Sequence, residues 1–219
     1  MRIYVKMKKF FLIVFLFFMS FVCVLPAMAT NDNYLTSTKL GQRYYIRWDN
    51  NEPIRVYIDK SQVSLQWSDE VRKAFEKWRD ALSGVMDIEF VSDPHDAHIV
   101  CTFEQVNKKP NMEKTLGYTK IIWERKDLQN RLGKMEIKIG TKKNSGSDYT
   151  HIAVYNTALH EAGHALGIWG HSPYYGDIMY PAIRPLSHTT RQVLTARDKK
   201  TIRMLYSTPA DITHTHSNI

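Results

Sequence analysis

Two histidines separated by one helical turn form the part of this sequence in which metal chemistry is most clearly encoded. His160 and His164 lie four residues apart, and on a helix this spacing places both imidazoles on one face. Gly167 follows where a helix can end, because glycine adopts the left-handed conformation without a steric penalty. The chain can then turn back and bring His171 to the same ion. Three neutral imidazoles and one water form the ligand set of a catalytic zinc site, which keeps one position open.

Glu161 lies next to the first of these histidines and is a candidate general base. Hydrolysis of an amide needs a strong nucleophile, a polarised carbonyl and a proton for the leaving amine. Zinc lowers the pKa of its bound water to about 7 and can polarise the carbonyl. A glutamate beside the ion can take the proton of that water and later deliver it to the amine. These residues are therefore suited to hydrolysis through a zinc-bound water.

The motif as a whole resembles the metzincin class of zinc peptidases, which combine H-E-x-x-H-x-x-G with a further histidine and a later methionine turn. Within that class, the run from His171 to Pro181 is similar to the matrixin family. The usual pattern has two residues between the glycine and the third histidine, whereas this chain has three, residues 168–170. The distance from His171 to Met179 keeps the matrixin spacing, so the extra residue is local. We expect Gly170 to absorb it as a bulge.

The resemblance implies a secreted zinc-dependent endopeptidase with one catalytic zinc ion and with Glu161 as the general base. Met179 would form an apolar floor under the metal without binding it. The expected metal ligands are His160, His164 and His171. Other candidates for the third ligand remain open, namely His188, His151 and Asp177.

A protein or peptide substrate would lie along the exposed edge of the sheet as an added strand, as the resemblance implies. Residues after the methionine turn would form a pocket beside the zinc for an apolar side chain. These expected pocket residues are Tyr180, Pro181, Ala182 and Ile183.

The implied fold class is α+β, the fold of a matrixin-like catalytic domain. It consists of a twisted, mostly parallel five-stranded sheet with an antiparallel edge strand, three helices, and an active-site cleft between upper and lower subdomains. Apolar and polar residues alternate in 54–58, which predicts a strand, and 44–48 is predicted to be another. Ser68 can cap a helix that Gly84 ends. Thr195-x-x-Asp198 is a capping box that predicts the start of a last helix.

The ends of the chain are predicted to lie outside the catalytic domain. A basic start, an apolar run and a small-x-small site ending at Ala29 indicate a cleaved secretory signal. The alternative is an uncleaved membrane anchor, but the apolar run is short for a span. We therefore expect a secreted protein without a stable membrane anchor. The predicted division is a signal peptide at 1–29, a flexible leader at 30–41, the catalytic domain at 42–207 and a polar tail at 208–219.

Charge and metal-binding residues narrow the partners further. The signal carries four basic and no acidic residues, so the formal charge falls from +8 to +4 for residues 30–219 and indicates no nucleic-acid partner. Cys101 is then the single cysteine and is expected to be buried in a strand. No histidine lies between Ile99 and Thr150, where matrixins often bind a second zinc, so we expect one. Calcium is possible in the loop 140–149 but unsupported by any spaced motif. The expected oligomeric state is a monomer.

Two other functions remain open at this point. The first is a non-catalytic, metzincin-like module that binds zinc or a peptide without cutting it. The intact Glu161 argues against this module, which has no need of a base at that position. The second is a zinc amidase that acts on cell-wall peptides. The absence of a recognisable wall-binding repeat in the sequence weighs only slightly against it.

Overall fold

The structure, a computed structural model, contains a mixed five-stranded sheet that packs against helices. The structure describes residues 32–61, 63–104, 116–126, 128–143, 145–181 and 189–215. The predicted signal peptide and the last residues of the predicted tail lie outside these ranges. The described residues from Asn33 onward belong to one compact unit. None of the helices in these ranges combines the length and the apolar character that crossing a membrane requires.

The sheet has the strand order β2-β1-β3-β5-β4. Neighbouring strands are parallel except at the edge, where β4 runs antiparallel to β5. The predicted fold class is therefore confirmed. The strands are β1 (Ile54–Ile58), β2 (Ile88–Phe90), β3 (Ile99–Glu104), β4 (Gly117–Lys126) and β5 (Gln129–Gly140).

Three α-helices occur in the described ranges, together with a short 3₁₀ helix at Leu35–Thr38. Two buried tryptophans donate hydrogen bonds to the helix formed by residues His151–Ala165. Trp78 donates its indole hydrogen to the Leu159 carbonyl at 2.8 Å, and Trp48 donates to the Ala165 carbonyl at 3.0 Å. Both rings are fully buried, so this helix is fixed on two sides. The helices are α1 (Leu65–Leu82), α2 (His151–Ala165) and α3 (Ala196–Ser207).

The start of α1 differs from the sequence prediction. Ser64, not Ser68, is the N-cap residue, and the helix begins at Leu65. Ser68 is buried inside the helix, where its hydroxyl donates to the Leu65 carbonyl at 2.9 Å. The Ser64 side chain makes no capping hydrogen bond, whereas the Ser68 hydroxyl bonds back to the preceding turn. The capping box at the start of α3 is present as predicted, with Thr195 and Asp198 bonding reciprocally.

The predicted strand at residues 44–48 is wrong. This segment makes only single bridges, one of them between Ile46 and Ile212. Arg47 donates its main-chain hydrogen to the Ile212 carbonyl at 3.2 Å, and Ile212 is buried. The C-terminal segment therefore pairs with residues 44–48 only locally, and this pairing does not extend into a strand.

From Asn33 onward, the segment that we predicted to be a flexible leader is part of the compact unit. Tyr34 is buried, and its hydroxyl donates to Asp198 at 2.6 Å. Its main-chain hydrogen goes to the Thr201 hydroxyl at 3.0 Å. A polar composition suggested flexibility, but one buried aromatic side chain with two hydrogen bonds to α3 is enough to order the residues around it.

Candidate metal centre

The helix α2 carries two of the predicted ligands. Thr150 caps its N-terminus by accepting the main-chain hydrogen of Ala153 at 3.1 Å. At the other end Gly167 has a φ of +110°, a conformation that L-residues with side chains rarely adopt. The chain reverses there, as the sequence predicted, and runs back toward the face of α2 that holds His160 and His164.

The reversal brings the three predicted histidines together. The nitrogens with which His160, His164 and His171 could bind an ion all lie within 4.8 Å of one another. The ring of His164 lies edge-on to both others, with centroid distances of 4.8 Å to His160 and 4.9 Å to His171. The rings of His160 and His171 are stacked at 5.4 Å. This arrangement fits the three imidazole ligands of a catalytic zinc site.

Hydrogen bonds at Nδ1 of two histidine rings determine which ring nitrogen is left to face the metal position. Nδ1 of His160 donates to the Ile178 carbonyl at 2.7 Å, and Nδ1 of His164 donates to the Ile168 carbonyl at 2.5 Å. A carbonyl can only accept, so in a neutral ring Nδ1 carries the proton and the Nε2 lone pair remains for a metal. Burial lowers the pKa of His164 well below its usual value and also lowers that of His171, which favours the neutral form that metals bind.

Glu161 is buried on the same helix, with 6% of its surface exposed. Burial raises the pKa of its carboxyl to about 7, and a hydrogen bond from Thr119 opposes this rise. The Thr119 hydroxyl lies 2.7 Å from Oε2 of Glu161. A carboxyl group with a pKa near neutrality is suited to taking up and releasing a proton at physiological pH.

The loop before His171 is held by the N-terminal segment. Trp169 donates its main-chain hydrogen to the Thr38 carbonyl at 2.9 Å. Gly170 lies so close to the main chain of Ser37 that a Cβ at this position would overlap the Ser37 carbonyl oxygen. Gly170 has no positive φ, so it is needed here for its small size rather than for an unusual backbone conformation. Gly170 therefore allows the loop to pack directly against the main chain of the N-terminal segment.

The methionine turn is buried and is held by hydrogen bonds next to the histidines. Met179 is fully buried, and its carbonyl accepts the main-chain hydrogen of Ser172 at 2.8 Å. Asp177, one of the open candidates for the third ligand, is also fully buried and accepts hydrogen bonds from Thr195 and Arg197, each at 2.8 Å. These bonds commit Asp177 to the structure of the turn rather than to the metal position.

The remaining candidates for the ligand and pocket positions are only partly described. His151 is the first residue of α2 and is exposed, more than two helical turns before His160. Tyr180 is half-buried, and its ring lies edge-on to that of Tyr175 at 5.4 Å. Pro181 is exposed. Three predicted residues lie outside the described ranges, namely Ala182, Ile183 and His188.

A second group of possible ligands consists of Glu52, His98 and His214, whose side-chain atoms also lie within 4.8 Å of one another. Here Nδ1 of His98 accepts the main-chain hydrogen of Arg55 at 3.2 Å, and Nδ1 of His214 accepts that of Asp49 at 3.4 Å. A neutral ring that accepts at Nδ1 carries its proton on Nε2, which leaves no lone pair for a metal there. In the other tautomer of His98, the Nε2 lone pair accepts a hydrogen bond from the Arg55 guanidinium at 2.7 Å, because a guanidinium can only donate.

In the structure this second group forms a hydrogen-bonded cluster. Nε2 of His214 lies 3.1 Å from the Glu52 carboxylate, to which Arg55 also donates at 2.5 Å. Burial and the nearby Arg55 lower the pKa of His98 to about 4, so its ring is neutral at physiological pH. The cluster fastens the C-terminal segment, which the sequence suggested was a polar tail, to the loop before β1.

Replacing His98 and His214 together with glutamine is expected to leave the zinc content at the wild-type value. The reason is that neither ring offers a free nitrogen to a metal. Zinc is measured by elemental analysis after dialysis of the full chain, with His164→Gln as the matched control that should lose its zinc. A zinc content of the double variant below the wild-type value would show that the second cluster does bind an ion.

Two contacts of the site could not be found from the sequence. Thr119 reaches Glu161 from β4, which is 42 positions earlier in the chain. Ser37 and Thr38 reach the loop before His171 from the N-terminal segment. No motif contains these residues, and the sequence gives no signal for them beyond the unexplained glycine at 170.

A mostly parallel sheet, packed on a helix that carries two of three converging histidines, defines the catalytic domain of a metallopeptidase. The sequence model of the matrixin family matches residues 47–207, and the chain belongs to this family. Matrixins are zinc-dependent peptidases that act on peptides or proteins. Among curated proteins, no significant match to the chain is found.

Proposed function

We propose that this protein is a secreted endopeptidase that binds one zinc ion through His160, His164 and His171 and uses Glu161 as its general base. The direction of the hydrogen bonds at Nδ1 of His160 and His164 is the observation that carries this proposal. In the neutral form both rings carry their proton on Nδ1, so the Nε2 lone pairs can bind an ion at a common position, next to a buried carboxyl group. A structural histidine pair has no need for this arrangement.

When bound, zinc would polarise the scissile carbonyl and lower the pKa of a coordinated water to about 7. Glu161 would accept the proton of the attacking water and transfer it to the nitrogen of the leaving amine. Its burial supports both steps, because a carboxyl with a pKa of about 7 is neither a permanent acid nor a permanent base. Met179 would keep the floor of the site apolar, since its side chain is fully buried.

The substrate would bind as an extended peptide along β4, which is one of the two edge strands of the sheet among the described residues. An apolar side chain of the substrate would enter a pocket formed by Tyr180, Pro181 and Ile183. A cleavage profile without an apolar preference after the scissile bond would contradict the pocket.

We propose further that the signal at 1–29 is cleaved, that the mature protein is a secreted monomer without a membrane anchor, and that it has no nucleic-acid partner.

The test uses the purified full chain with casein and an internally quenched peptide as substrates. We expect internal cleavage of both, full inhibition by 1,10-phenanthroline, and recovery of activity when zinc is added back. Elemental analysis should give about one zinc per chain. Mass spectrometry of the products distinguishes internal cleavage from removal of terminal residues.

The same experiment separates the two alternatives. A protein that retains zinc but cuts neither substrate would be a binding module, and the proposed function would be wrong. A protein that leaves casein and the quenched peptide intact but cleaves the stem peptides of a purified cell wall would be a zinc amidase. Since both alternatives keep the metal centre, zinc content alone does not decide between them.

A further inference from the structure

The edge strand β4 places a hydroxyl group against the proposed general base. Oγ of Thr119 lies 2.7 Å from Oε2 of Glu161 and 3.1 Å from the main-chain oxygen of the same residue. A threonine hydroxyl has one proton to donate, and a hydrogen bond to a carboxylate is stronger than one to a neutral carbonyl. Oε2 is therefore the oxygen that Thr119 engages, which leaves Oε1 for the proton that is transferred in the reaction.

Close packing between β4 and α2 supports this contact. A Cβ at Gly117 would lie 3.2 Å from Cγ of Glu161 and 2.7 Å from Cγ2 of Thr157, so the strand and the helix touch at this point. Thr119 itself pairs with Ile137 in the ladder between β4 and β5, which fixes the main chain behind the hydroxyl. The Glu161 side chain has little free space around it, since it is buried between the two elements.

We infer that Thr119 is a positioning residue, which holds Oε2 of Glu161 so that Oε1 faces the position of the attacking water. This inference rests on the proposed function, in which Glu161 is the base. Proton transfer requires the two heavy atoms to lie within about 3 Å of each other in a defined orientation. A carboxylate that is already fixed spends no time in orientations from which it cannot take the proton.

The experiment compares Thr119→Val, Thr119→Ser and the wild-type full chain on the quenched peptide. Valine keeps the shape and the strand preference of threonine but removes the hydroxyl, so kcat is expected to fall about tenfold with KM within about twofold. Serine restores the hydroxyl, and its kcat is expected to lie within about threefold of the wild-type value. Thr102→Val on β3 is the matched control, and it should behave like the wild type.

Three results would overturn the inference: a wild-type kcat in Thr119→Val, an equal loss in the serine variant, or a loss of zinc that parallels the loss of kcat. If the wild type cuts no peptide, the proposed function is wrong. The hydrogen bond between Thr119 and Glu161 is then tested separately, by the stability of the metal-free protein. Thermal unfolding is measured for Thr119→Val, Glu161→Ala and the double variant, because alanine removes the acceptor that glutamine would keep. Non-additive shifts in Tm support a bond between the two side chains, and additive shifts overturn it.

Discussion

Glu161→Gln is expected to abolish peptide hydrolysis while the protein keeps its zinc. Glutamine has nearly the same shape, and its amide oxygen can still accept the hydrogen bond that Thr119 donates at 2.7 Å. It cannot accept a proton from the attacking water, so the general base is lost and kcat should fall about 10³-fold. The three histidines are unchanged, and the Nδ1 bonds that orient His160 and His164 do not involve residue 161.

Steady-state kinetics on the quenched peptide and elemental analysis of the same samples check this expectation. Glu136→Gln is the matched control, because Glu136 lies on β5 and forms an ion pair with Lys120 of β4. We expect the control to have the wild-type kcat. A Glu161→Gln variant that retains more than about a tenth of the wild-type kcat would show that another group acts as the base.

The same substitution should also change how stability depends on pH in the metal-free protein. The pKa of Glu161 is raised to about 7 in the folded state, whereas the unfolded value is close to 4.5. A raised pKa stabilises the folded state below the unfolded value, and this contribution is lost as the pH rises through 7. Relative to the wild type, Glu161→Gln should therefore gain up to about 3 kcal/mol of unfolding free energy between pH 4 and pH 8. Urea unfolding in the presence of a chelator measures it.

The sequence predicted the parts of the site that depend on local spacing. Two histidines four residues apart must share a helix face, and a glycine after the last turn allows the chain to reverse; the structure has both features. The capping box at Thr195 is also local, since its donors and acceptors lie within one turn. Such features follow from the geometry of the helix and do not depend on the rest of the fold.

The contacts that the sequence did not predict join residues that are distant in the chain. Tyr34 bonds to Asp198 across 164 positions, and Thr119 bonds to Glu161 across 42. Each depends on the placement of whole elements, which no local pattern encodes. The prediction of the N-cap of α1 was wrong for another reason. Ser64 and Ser68 are one turn apart, and either serine can begin a helix. These distant contacts hold the base and the N-terminal segment in place.

Gly170→Ala is expected to disturb the third ligand more than any other single methyl group added to the loop. The new Cβ would overlap the carbonyl oxygen of Ser37 and lie 2.9 Å from its carbonyl carbon. These atoms belong to the main chain, so no side-chain rotation relieves the overlap. Either the N-terminal segment moves away, which breaks the 2.9 Å bond from Trp169 to Thr38, or the loop moves and carries His171 from the metal position.

The two responses can be separated by measuring zinc affinity and unfolding in the same variant. Movement of the loop should weaken zinc binding at least about tenfold in a chelator competition, and overpacking in either case should lower the free energy of unfolding by about 1–3 kcal/mol. Gly176→Ala is the matched control, since its Cβ would meet no atom within 4 Å. Because the overlap with Ser37 leaves no room for a methyl group, wild-type zinc affinity together with wild-type stability would contradict the packing of the N-terminal segment against the loop.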